Sequence, residues 1–169
     1  LAALTSANVS GLGTTALSAI TSNGIAGLTS SVTGVLDSGQ VAALGYVASG
    51  LGTSALAALT SVNIVGLAST AVAALSSAQV SALGSDALAL GTTQLAALTT
   101  QNVAGLASDA LAVMSTGQIR ALGADASSLG TAQLAALTSQ NVPGIHTDAI
   151  AAFSSAQVSA LGADALALD

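Results

Sequence analysis

The sequence predicts an all-α fold, a solenoid of short helices wound from octapeptide units. Three observations predict it. A leucine or close substitute returns every eight residues, helix-capping residues stand at fixed places behind it, and glycine recurs at the joints between units. One unit is too small to bury an apolar face by itself, so the units must stack to make a core.

The units group into a longer period. Residues 90–128 read LGTTQLAA, LTTQNVAG, LASDALAV, MSTGQIRA and LGADASS, four octads and one heptad that make a 39-residue super-repeat. The copies at 51–89 and 129–167 follow it unit for unit, and the copy at 12–50 is looser but keeps the frame. Residues 1–11 form a partial, irregular repeat, and residues 168–169 start the next one, so the whole of 1–169 is a single repeat array. Identical residues at the same step fix the frame: Gln40, Gln79, Gln118 and Gln157; Gly45, Gly84, Gly123 and Gly162; Asp86, Asp125 and Asp164. The chain opens in mid-pattern, with Leu1-Ala2-Ala3 matching Leu56-Ala57-Ala58, and is expected to be a piece of something longer.

Each position of the octad has a physical reading. Leucine at position 1 and the apolar residue at position 6 lie three apart across the joint, on one helical face, and are candidate core. The column Leu36, Leu75, Met114, Phe153 varies in size but stays apolar. Serine or threonine at position 2 with Gln or Asn at position 5 has capping-box spacing, as in Ser76 with Gln79, Thr99 with Asn102 and Ser154 with Gln157. Alanine, glutamine and leucine then favour a helix of about one to two turns. A continuous helix is excluded, because an eight-residue period rotates the apolar stripe by about 80° per unit and defines no buried side. Pro143 and the joint glycines argue the same way, and Gly144 reads as a helix stop in the left-handed conformation. A β-solenoid is the alternative, but it would alternate β-branched residues, whereas here the apolar spacing is five and three with alanine as filler. The period further suggests one superhelical turn per 39 residues, with five short helices as its sides and leucine stacked on leucine, Gln on Gln.

Composition removes several functions. Lysine, glutamate, cysteine and tryptophan are absent, Arg120 is the only fixed cation, and the net charge is -6, which cannot hold a phosphate backbone. No thiol chemistry is available, and His146 is the only imidazole. The apolar runs are too short to make a membrane span, which needs roughly 18 residues. Disorder is excluded by the 52% apolar content set against 5% charged.

The residues that tempt a site reading have plainer ones. Asp86, Asp125 and Asp164, with Asp109 and Asp148, suggest calcium, yet the acidic ligands that calcium gathers within one short loop are missing. Each falls in the expected first turn of a helix, where a negative charge suits the dipole. His146 replaces Ala68 and Ala107, Arg120 replaces Ser81, and Tyr46 lies in an irregular unit, so the repeat requires none of them. The glycine columns lack a phosphate-loop context and read as corners. The amide columns read as caps or stacked ladders. Recurrent Thr-Ser and Gly-Thr pairs could present hydroxyls to a glycan or to ice, although capping already accounts for them. No catalytic, cofactor-binding or metal-ligating residue is assigned, no cofactor is implied, and no enzyme activity is expected.

Phrases such as LSSAQVSALG and LTTQNVAGLA resemble the L-[ST]-[ST]-x-Q-[VI]-x-[AG]-L runs of very large bacterial surface and secreted proteins, adhesin- or haemagglutinin-like. The resemblance implies export to the cell surface or medium and a role in a fibre, stalk or matrix. Residues 75–85 also resemble the opening of the DNA-reading repeat of transcription activator-like effectors, but the different period and the near absence of positive charge exclude that function. The expectation is a structural repeat protein of an extracellular filament, surface layer or matrix that associates with itself. The alternative is an unassembled adhesin stalk or a glycan- or ice-binding surface.

Overall fold

The computed structural model of the protein describes residues 3–168. Among them are thirteen α-helices and eight 3-10 helices, none longer than six residues, and no strand. One super-repeat shows the pattern: α-helices at Thr53–Leu56, Ser69–Ala74 and Ser77–Ala82, and 3-10 helices at Ile64–Gly66 and Gly84–Ala89. Each unit is thus one short helical piece followed by a corner, which is an extended residue at Leu67 (ψ 126°), Leu75 (ψ 145°) and Leu90 (ψ 133°). The chain is an all-α repeat solenoid.

The winding corrects the expected turn. Helix Thr53–Leu56 packs on Ser77–Ala82, Ser77–Ala82 on Val103–Gly105, and Val103–Gly105 on Gly123–Ser128. Every unit therefore lies on the unit three before it, and one turn takes three units rather than five. That is 24 residues, or 23 where one of the three is the heptad. The first side carries units 28–35, 51–58, 75–82, 98–105, 122–128 and 145–152; the second 36–43, 59–66, 83–89, 106–113, 129–136 and 153–160; the third 44–50, 67–74, 90–97, 114–121, 137–144 and 161–167. Five unit types on three sides cannot stack like on like. Gln79, Gln118 and Gln157 fall on three different sides, as do Asp86, Asp125 and Asp164.

Positions 1 and 6 fill the axis, with Leu95, Leu98, Val103, Leu106 and Leu111 all buried. Leu36, Leu75 and Met114 are buried as expected, and Phe153 packs partly buried against the same core. The heptad obeys a related rule. Losing one residue leaves the inward position three before the next leucine, so Ala48, Ala87 and Ala126 at position 5 are fully buried, while Leu88 at position 6 is turned out.

Glycine has two structural roles. Gly45, Gly84, Gly123 and Gly162 have φ of 53° to 57°, which turns the chain from the α-helices Ser38–Ala43, Ser77–Ala82, Thr116–Ala121 and Ser155–Ala160 into the 3-10 helix that follows each. Gly66, Gly105 and Gly144 are not left-handed, contrary to the reading of Gly144 from sequence; they allow two turns to touch. A Cβ on Gly105 would sit 2.2 Å from the Ser77 carbonyl oxygen, and one on Gly144 would sit 2.4 Å from that of Thr116.

The amide residues join the turns. Asn102 Oδ1 accepts from the Thr99 backbone N–H at 2.8 Å, and its Nδ2 donates to the carbonyls of Val72 (3.1 Å) and Leu75 (2.9 Å) on the turn beneath. Asn63, Gln79, Gln94, Gln118, Asn141 and Gln157 repeat this bridge, each to carbonyls 27 to 30 residues earlier. They are not amide ladders, because the acceptor is always backbone. Full capping boxes form at Asp37/Gln40, Ser76/Gln79, Ser115/Gln118 and Ser154/Gln157. At Thr99/Asn102 only half the box forms, since the Asn side chain accepts but that of Thr99 does not. Where the repeat has Ala55 instead of Gln, the buried Thr33 hydroxyl reaches the Ala55 carbonyl from below at 2.8 Å.

Candidate functional site

With the core and the amide bridges turned inward, the outer sides are what the protein offers to a partner. Ser, Thr and Ala dominate them, and charge is sparse. Asp86, Asp109, Asp125, Asp148 and Asp164 each stand in the first turn of a short helix, as the sequence suggests. Equivalent aspartates lie on different sides, and among the described residues no three His, Asp or other metal-ligating side chains come together. The hydroxyl pairs are dispersed in the same way, because the step of five units advances each copy by two sides of three.

One side differs. On the second side, Val62, Val65, Leu88 and Val113 are exposed, by 77%, 48%, 37% and 64%, on three successive turns. The fold does not require them apolar there: other copies hold Gln101, Ala104, Ser127 and Ala152 at equivalent positions, although Leu166 repeats Leu88. Sequence reading passed over these residues because which of them share a side depends on the turn length, which the period alone does not give. Val158 is exposed on the same side further along, Tyr46 and Leu166 on the third side and Val35 on the first.

The residues unique to one copy lie elsewhere. His146 caps the helix Thr147–Ala152, its Nδ1 accepting from the Asp148 backbone N–H at 3.2 Å and standing 3.4 Å from Asp148 Oδ2. Arg120, in the last turn of Thr116–Ala121, reaches the Pro143 carbonyl at 3.5 Å. No helix among the described residues is long and apolar enough to cross a membrane.

Residues 87–124 match the family model described as the ALTTAQ repeat. The matched stretch runs from one heptad into the next, nearly one super-repeat, and takes in every unit type. No curated protein and no solved structure matches the chain. Family match and winding agree on the coarse conclusion that this is a helical repeat protein.

Proposed function

We propose that the chain is a non-catalytic structural element of an extracellular filament, surface layer or matrix, and that it associates laterally with copies of itself. The carrying observation is that Val62, Val65, Leu88 and Val113 are exposed on one side of a stacked rod, at positions where other copies hold Gln101, Ala104, Ser127 and Ala152. Exposed apolar residues that packing does not need, gathered on one side, favour a partner surface. The sparse charge on the sides, with Ser, Thr and Ala between, offers little repulsion to close approach. Location at the cell surface is supported by the resemblance of the octads to those of large exported proteins.

The alternative, an unassembled stalk or a glycan- or ice-binding surface, draws less support from the geometry. A regular array for ice or sugar needs equivalent hydroxyls on one flat side, and the winding deals them out over three.

Sedimentation velocity and cryo-electron microscopy of the purified chain test the proposal. Filaments or lateral bundles are expected at high concentration, and Val62→Gln with Leu88→Ser and Val113→Ala should dissolve them without unfolding the rod. Monodisperse single rods at all concentrations would overturn self-association.

A further inference from the structure

The bonds between turns are not spread evenly along the rod. In each 39-residue super-repeat the first two units both carry a bridging amide: Gln94 and Asn102 at 90–105, Gln133 and Asn141 at 129–144. All four are buried. The copy at 51–66 has Asn63 and, where the glutamine is missing, the Thr33 hydroxyl bonded to the Ala55 carbonyl. The remaining three units make one whole turn, and a single amide ties that turn to the one beneath. It is Gln79 at 67–89 and Gln118 at 106–128, each partly open to water.

Packing follows the same division. The inward residues of the two-unit segment are Leu90, Leu95, Leu98 and Val103, and Gly105 brings its backbone onto Ser77. In the three-unit segments the heptad puts only alanine at its second inward position, Ala87 and Ala126. It also carries a left-handed glycine, Gly84 or Gly123, which regains the most freedom on release.

We propose that the super-repeat is a mechanical unit, with the two-unit segments as clamps and the three-unit segments as yielding turns. The array then serves as a tether that lengthens by one super-repeat at a time under tension. The inference does not rest on self-association. Each unit packs on its chain neighbours and on the units one turn above and below. A pull along the rod therefore loads one inter-turn interface at a time, where free chain leaves the rod. Release halts at a clamp, where buried amides on adjacent units must let go of backbone carbonyls that water does not reach. Past it, the one exposed bridge is exchanged for water and the chain runs to the next clamp. Five units on a turn of three thus provide one yielding turn and one clamp. The bridges span about one turn of chain, so a released segment rewinds on its own neighbour when the load falls.

The test is stretching of the whole chain in optical tweezers through a cysteine added at each end, the sequence having none of its own. Contour should be gained in steps of about 120 Å, one super-repeat less the rod length it occupied, and recovered on relaxation. Gln94→Ala with Asn102→Ala, folding checked by circular dichroism, should fuse two steps into one of about 240 Å. Gln118→Ala should leave the step length unchanged. Wild-type steps of about 75 Å, the length of a single turn, would make every turn equally strong and overturn the proposal. So would one all-or-none extension of the wild type, or separate steps kept by the folded double variant. The wild-type step length decides the question even if the double variant does not fold.

Discussion

Replacing Asn102 by alanine isolates the bond that holds one turn to the next. The side chain is 1% exposed and satisfies three backbone groups at once, the Thr99 N–H and the carbonyls of Val72 and Leu75. Each such bond contributes about 1 kcal/mol net, and a buried partner left unpaired costs about 1–3 kcal/mol. Two of the three partners are reached through buried bonds, so Asn102→Ala is expected to destabilise by about 3–5 kcal/mol, a large share of the ~5–15 kcal/mol that a domain has. Gln79→Ala removes the same three kinds of bond where water can replace them, to Ser76, Ser49 and Leu51, and should cost about 1–2 kcal/mol. Asn102→Asp sharpens the test. Its carboxylate would face two carbonyls in a buried place, which raises its folded pKa above the unfolded carboxylate value of about 4. Stability of that variant is therefore fully present below the unfolded value and lost as pH rises through the folded one. Urea unfolding followed by circular dichroism measures all three. A loss below about 1 kcal/mol for Asn102→Ala, or equal losses at 102 and 79, would refute the account of bridging amides.

The remaining predictions concern packing and winding. Gly105→Ala should destabilise by about 1–3 kcal/mol, because its Cβ meets the Ser77 carbonyl oxygen. Gly52→Ala, with φ of -66° and open space around it, should be neutral or stabilising by up to about 1 kcal/mol in the same urea titration. Gly123→Ala forces a side chain to φ 57° and should lower stability by about 1–2 kcal/mol. Leu111→Ala empties a fully buried site and should cost about 2–5 kcal/mol, whereas Leu166→Ala, 90% exposed, should stay within about 0.5 kcal/mol. Excision of residues 90–128 keeps every unit on the same type of unit beneath it, so the shortened chain should fold cooperatively with unchanged helix content per residue; a molten spectrum would contradict the stacking scheme.

The sequence alone determined what is local. The octad, its capping residues, the helix formers behind them and the inward leucines depend on neighbours within one unit, and Ser76 with Gln79 or Leu98 with Val103 stand as the pattern requires. It also carried the all-α class, since five-and-three apolar spacing has no strand equivalent. The tertiary structure decided how many units close a turn. That number depends on the angle at each corner and on how closely adjacent turns approach, set by contacts such as Gly105 against Ser77 that no period in the sequence expresses. From it follow the parts of the surface that sequence reading left scattered. Val62, Leu88 and Val113 share a side, and Arg120 meets Pro143 across 23 positions, because a turn is three units long and not five.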